Sequence, residues 1–421
     1  MKKLLTSAYL LLGLGYVYAQ ENKIEITQHN NYNYAEVEQL GLSHTSNIDQ
    51  NNTILGISTT QQDGNKVMLS QVGEAAEFTI VQYGINNSSS VSQGFAGSSD
   101  FLSRGAYFST VKQKQIGKNN LVRAEQSSTQ AAKITQEQQG TSNIADAKQQ
   151  SGVGLYPAKD PISSIINQVQ IGIANTMSAL QEGYGDIPLL NNSVINQTQT
   201  GNNNNFMASQ TSEKFNTSSN SLITQDSQAG DYNKMVAEQH GPGNTINQTV
   251  LGLGGNGNTL TAQQKESNNA IDQTITGDYN RLSVSQDGRS NAATQTSTAS
   301  FGWMNGIQTG DSNKMDLTQI SGAFNGIQIN QKGNGNETVM TQKGYTNAIV
   351  LNQKGNENMT IGNQDGGTNM MHLTQSGNKN NSTDIQIGTI NNSMVNQQGD
   401  GNIHTSSQIG ALNKMNVYQT H

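Results

Sequence analysis

The chain has no cysteine, only four prolines, a single tryptophan and few charges. Each shortage removes a class of protein. Without cysteine there is no disulfide framework, no zinc thiolate and no thiol nucleophile. Proline cannot donate to a strand ladder, so its scarcity leaves long paired strands permitted. Pro157 and Pro161 share one irregular segment, Pro188 lies in another, and Pro242 falls in a glycine turn. Charged residues are 13% of the chain, against roughly 25% in ordinary globular proteins. The net charge of −7 argues against a nucleic-acid partner, which needs a basic footprint. Hydrophobic residues are 32%, too few for a large conventional core. Disordered chains usually join low hydrophobicity to high net charge. Here Gln, Asn, Gly, Ser and Thr fill the composition instead, a palette of amide-laddered β-structure or of prion-like sequence.

What is present is a period. Glutamine returns every eleven residues at Gln331, Gln342, Gln353, Gln364, Gln375, Gln386, Gln397, Gln408 and Gln419. Two residues after each of the first eight stands a glycine: Gly333, Gly344, Gly355, Gly366, Gly377, Gly388, Gly399 and Gly410. Five residues after each stands an asparagine: Asn336, Asn347, Asn358, Asn369, Asn380, Asn391, Asn402 and Asn413. Low-complexity tracts do not hold such phase, whereas stacked repeats do. From Asn347, counting by twos gives Ile349, Leu351 and Gln353 on one face, the alternation of a strand. Each unit therefore reads as a strand of about seven residues followed by a tight arc in which glycine supplies unusual backbone angles.

A longer period lies inside the shorter one. At the place nine after glutamine, Leu351, Leu373, Val395 and Val417 alternate with Met340, Gly362, Asp384 and Ser406. At the place seven after, Ile349, Met371, Ser393 and Met415 alternate with Thr338, Thr360, Ser382 and His404. The expected fold is all-β: a β-solenoid of 22-residue strand-arc-strand-arc coils, with 11-residue half-repeats and loop insertions. Coils would stack at about 4.8 Å, with like amides over like amides. The pattern extends upstream through Gln28–Gln39, Gln115–Gln126, Gln138–Gln149, Gln170–Gln181, Gln199–Gln210 and Gln228–Gln239. In the next region Ile275 takes the glutamine place, and one extra residue precedes Gln331. Phase breaks near 94–112, 152–165, 184–190, 211–227, 249–262 and 298–307 are expected to bulge from arcs; Phe301 and Trp303, in the last, read as a local plug. The most regular part is 308–421.

The N-terminus reads as a signal peptide over 1–19, leaving 20–421 as the solenoid. Lys2 and Lys3 precede an apolar run over 4–16, and Val17, Tyr18 and Ala19 offer a cleavage site before Gln20. Its removal would take the charge from −7 to −9, since it carries two lysines and no acid. Nothing later in the sequence resembles a transmembrane helix.

The motif Gln-x-Gly-x-x-Asn-x-Ala-x-Val-x-Gln resembles the curlin repeat of bacterial curli fibre subunits. Residues 28–39 reproduce it except at Asn30, and residues 138–149 reproduce it with Ala147 at the valine place. The resemblance covers nearly all of the chain after residue 19. It implies export through a dedicated outer-membrane channel and polymerisation into cell-surface amyloid fibres of a biofilm matrix. It also implies a nucleator subunit and secretion proteins as partners, and carries the ladder role onto the glutamines and asparagines named above.

Other chemistry is not expected. His29, His44, His240, His372, His404 and His421 show no ligand spacing and read as surface or incidental. No phosphate loop or nucleophile elbow occurs, and Asp384 and Asp400 read as scattered acids. Catalytic, cofactor-binding and metal-binding residues are therefore assigned to none. Lys332, Lys343 and Lys354 read as solvated arc charges. The expected function is self-assembly, with the chain itself as partner and the terminal strand edges as the active surfaces. Repeats running almost to the C-terminus leave no place for a cap. The rival is a monomeric solenoid that acts as a surface adhesin or binds polysaccharide or ice. Ice binding would want a regular threonine rank, and Val339, Val350, Ile361 and His372 do not form one. A polysaccharide-cleaving β-helix would need an acid cluster that the sequence does not show.

Overall fold

The structure, a computed structural model, describes residues 22–29, 33–51, 64–94, 106–127, 129, 131–150, 163–183, 192–212, 220–252 and 255–420. The expected signal peptide lies outside these residues, as does His421. Among the described residues the chain is strand and arc, with no helix long and apolar enough to cross a membrane.

Successive strands alternate between two parallel sheets. Sheet A is sixteen-stranded and runs from Lys23–His29 to Ile403–Ala411. Sheet B runs from Tyr34–Leu42 to Lys414–Thr420, and among the described residues each of those end strands pairs on one side only. Strand neighbours in the last coils are twenty-two residues apart: Ala348–Lys354 pairs with Met370–Ser376, and Glu337–Tyr345 with Met359–Gly367. The fold is thus a β-solenoid, each coil giving one strand to each sheet. Alternation explains the burial. In Ala348–Lys354, Ile349, Leu351 and Gln353 face inward and their neighbours face out.

The arcs bend through two left-handed residues. One is the glycine. At Gly355, φ is 117°, and a Cβ there would run into the carbonyl oxygen of Gly377 in the next coil. The other stands two residues later and need not be glycine: Thr346, Glu357, Thr368 and Lys379 have φ of 56–57°. Such angles are uncommon outside Gly, Asn and Asp, so coil stacking overrides local preference here.

Insertions leave the ladder intact. Residues stacked in sheet B are separated by 33 positions at Gln93–Gln126 and 32 at Gln149–Gln181, yet remain paired. Of the expected bulges, 184–190 lies outside the described residues. Those at 94–112, 152–165, 211–227 and 249–262 do so in part, and strands Thr110–Lys118, Ile165–Ile173, Leu222–Ser227 and Thr259–Lys265 begin within them. The segment 298–307 is described throughout and does not bulge. Trp303–Thr309 is a strand of sheet B, in register with Arg281–Asp287 and Gly326–Lys332. The sequence hid it because Ser297, Ala299 and Gly302 stand at the places of Gln, Gly and Asn. Phe301 is therefore no loop plug. It stacks between Tyr279 and Phe324, with ring centroids 5.1 and 5.3 Å away, along an exposed arc. The extra residue before Gln331 is absorbed as a bulge between Ile320 and Gly322.

Candidate functional site

The glutamine series divides into two ladders, because alternate members belong to opposite sheets. In sheet B, sixteen glutamines from Gln39 to Gln419 form an unbroken column. Every Nε2 but that of Gln419 donates to the Oε1 of the next coil; Gln331, Gln353, Gln375, Gln397 and Gln419 are its last five members, linked at 2.8–2.9 Å. Most of these Nε2 atoms also donate to a backbone carbonyl, as Gln375 does to Met359 of the facing sheet. Burial of so many amides is tolerable only because each is paired.

Sheet A carries the second column, with Gln342, Gln364, Gln386 and Gln408 at its end. This column is interrupted. Ser227, Val250, Ile275 and Ser297 stack at its place between Gln199 and Gln319. Ser227, not the expected Gln228, occupies the ladder position. The resumption leaves Ser297 Oγ and Gln319 Oε1 buried without a partner.

Asparagines cap the arcs. The Oδ1 of Asn336 accepts the Asn358 N–H at 3.1 Å, and Asn358 serves Asn380 and Asn380 serves Asn402 alike. Asn347, Asn369, Asn391 and Asn413 form the matching column on the other arc. Their Nδ2 atoms reach the carbonyls of the arc glycines, as Asn336 to Gly355 and Asn369 to Gly388. Glycines Gly333, Gly355, Gly377 and Gly399 stack on one arc, and Gly344, Gly366, Gly388 and Gly410 on the other. The expected glutamines, asparagines and arc glycines of 331–419 thus come together in columns, whereas Gln228 lies outside them.

A third glutamine column was missed. Gln113, Gln136, Gln168, Gln197, Gln225, Gln248, Gln273 and Gln295 stack two residues before the sheet A ladder place, deep between the sheets. Their Nε2 atoms also cross to sheet B carbonyls such as Val236 and Thr261. Opposite them sheet B offers alanine: Ala124, Ala147, Ala179, Ala208, Ala237 and Ala262. The signal was the recurrent Gln-x-Gln of Gln113–Gln115, Gln136–Gln138, Gln168–Gln170 and Gln197–Gln199.

Two other readings change. His44 and His404 are buried, not at the surface. His404 Nε2 is 3.4 Å from Asp384 Oδ1, and Ser382, Ser393 and Ser406 donate to the same fully buried carboxylate. Burial pushes the Asp384 carboxyl up, but the nearby His404 ring and hydrogen bonds from Ser406 and Ser382 outweigh it and hold the carboxyl below its usual range. A threonine rank also exists: Thr249, Thr274, Thr296, Thr318 and Thr341 stack on the outer face of sheet A. Among the lysines, Lys343 lies 3.5 Å from Asp365, while exposed Lys332 and Lys354 stack as neighbours at strand ends.

At both ends of the stack the inward rows come into view. Ile24 and Ile26 are 45% and 43% exposed, whereas Ser46 and Ile48, stacked on them in the next coil, are buried. Met415 and Val417 are only partly buried at the other end. No group of three His, Asp or Glu side chains among the described residues is arranged to hold a metal ion. No family model matches the chain, and a search of curated proteins found none similar to it.

Proposed function

We propose that this chain is a secreted structural subunit that self-assembles end to end into extracellular, curli-like amyloid fibres used for adhesion and biofilm matrix. One observation carries the reading. Among the described residues, both sheets finish at each end of the stack in strands paired on one side only, over partly uncovered apolar residues. Such edges offer unpaired N–H and C=O groups that template a further strand. Parallel strands, amide columns and like-over-like stacking are also the internal order of cross-β assemblies. The resemblance of the repeat to curlins supports the extracellular setting, with a nucleator and a secretion channel as partners.

The test is fibre growth by purified chain beginning at Gln20, followed by thioflavin fluorescence and electron microscopy. Growth should depend on concentration and be shortened by seeds. Chain that stays monomeric for days at high concentration removes the proposal. The threonine rank supports a second reading, a monomeric solenoid that binds an ordered hydroxylated surface such as polysaccharide or ice. That reading predicts surface binding by the monomer, abolished by Thr296→Lys.

A further inference from the structure

Deepening the self-assembly reading, on which it rests, we infer that copies join head to tail in one register. The coil of Ile403–Ala411 and Lys414–Thr420 receives the coil of Lys23–His29 and Tyr34–Leu42 from the next copy. Gln419 then stands under the next Gln39, Gln408 under Gln28, and Asn413 under Asn33.

The ladders themselves have a direction. Along sheet B each Gln Nε2 from Gln39 to Gln397 donates toward the higher-numbered coil, so the first member receives nothing from the described residues of its own chain. That member is Gln39, and its Oε1 is buried without a partner among the described residues. At the opposite end Gln419 Nε2 donates to the Ile403 carbonyl but has no next glutamine to reach, unlike Gln397. One end lacks a donor and the other holds a spare one, at the same place in the same column. Where the inner column begins inside the chain, the equivalent need is met: the Ser89 hydroxyl donates to Gln113 Oε1. The asparagine columns agree. Asn391 Oδ1 accepts the Asn413 N–H, and Asn413 Oδ1 is placed to accept the next Asn33 N–H in the same way.

Side chains between the columns match too. Val417 would cover Val37 and Met415 would cover Ala35, while the exposed Ile24 and Ile26 would close over His404 and Ser406. On the outside Lys414 would meet Tyr34, whose ring already has Lys66 at 5.8 Å on its other side. The alternative, two N-terminal ends meeting about a two-fold axis, pairs strands antiparallel. Centred on Val37, it would set Gln39 against Ala35 and crowd Glu25, Glu36 and Glu38 against their copies. It also closes into a dimer, whereas a head-to-tail contact propagates.

The absence of cysteine makes the test clean. Glu38 and Tyr418 are both exposed on the outer face of sheet B. Glu38→Cys and Tyr418→Cys chains would be mixed in equal amounts and oxidised during assembly. Paired strands sit about 4.8 Å apart, within the reach of a disulfide, roughly 4.4–6.8 Å between Cα atoms. The expected result is a dominant 38–418 cross-link, and covalent polymers from the doubly substituted chain. Thr27→Cys with Ser407→Cys, exposed on sheet A, repeats the measurement should the first pair disturb assembly. Gln39→Leu should slow elongation about tenfold by leaving nothing for Gln419 to bond. Dominant 38–38 or 418–418 links, or fibres that grow without either mixed link, overturn the junction while leaving self-assembly standing. Absence of fibres from the unsubstituted chain overturns both.

Discussion

Residues 222–297 and residues 314–420 fill the same two-sheet interior with polar and apolar rows exchanged. In the first stretch sheet A places glutamine in the deep row (Gln225, Gln248, Gln273, Gln295), with Ser227, Val250, Ile275 and Ser297 at the outer place. In the second the deep row is Leu317, Met340, Gly362, Asp384 and Ser406, and glutamine returns to the outer place. Sheet B answers in size. The sheet B row of the first stretch is Ala237, Ala262 and Val284, whereas that of the second is Ile329, Leu351, Leu373 and Val395. A long amide opposite a methyl, or a branched aliphatic opposite a small residue, fills a similar width at high packing density. The lesson is that a coil of this fold requires a stacked amide in each sheet, at the outer or the deep place, more than it requires an apolar core.

The largest expected effect tests the apolar version. Leu351→Ala removes a fully buried side chain where no amide can compensate, and should cost about 2–5 kcal/mol. Alanine is the native residue at the corresponding Ala262. Urea unfolding read with hydrogen exchange around 337–376 would measure the cost; a change under about 0.5 kcal/mol would contradict the exchange of rows. Next is Gln273→Leu, in the amide version. It deprives Gln248 Nε2 of one acceptor and Gln295 Oε1 of its donor, a loss of about 1–3 kcal/mol. At the corresponding place in the later stretch, Met340→Leu should cost under about 1.5 kcal/mol. Equal effects of the two substitutions would show the deep column to be dispensable.

The smallest effect is local and pH-dependent. Asp384 has a folded carboxyl held below its usual range, so its contribution is present above the unfolded value of about 3.9. It is lost as pH falls through the folded value. Exchange of amides in 381–411 should rise below about pH 4, while 245–297, with no buried carboxylate among the described residues, should not respond. Asp384→Asn should remove the difference. An identical acid response in both stretches would remove Asp384 as its source.

How much of this was legible in the sequence follows from which interactions have a fixed residue type. The outer columns were legible because an amide both donates along the stack and accepts from below, so Gln and Asn recur in phase from Gln331 to Gln419. The strands were legible from Ile349 and Leu351 by alternation. The deep column was hidden because insertions vary its spacing, from 23 between Gln113 and Gln136 to 32 between Gln136 and Gln168. The strand Trp303–Thr309 was hidden because backbone pairing tolerates Ser297 and Gly302 at signature places. The left-handed arc residue was invisible, since Thr346, Glu357 and Lys379 share no chemistry. His404 and Asp384 were legible only as isolated residues; stacking set them 3.4 Å apart.

The central claim is that Gln353 lies against Gln375 of its own chain. Solid-state NMR of assembled protein, correlating side-chain Gln353 Nε2 with Gln375 Cδ, measures this directly when labelled chain is diluted in unlabelled chain. A cross-peak that survives dilution is the predicted result. A peak that vanishes on dilution, or one that joins Gln353 to Gln353 of a neighbouring molecule, would contradict the solenoid.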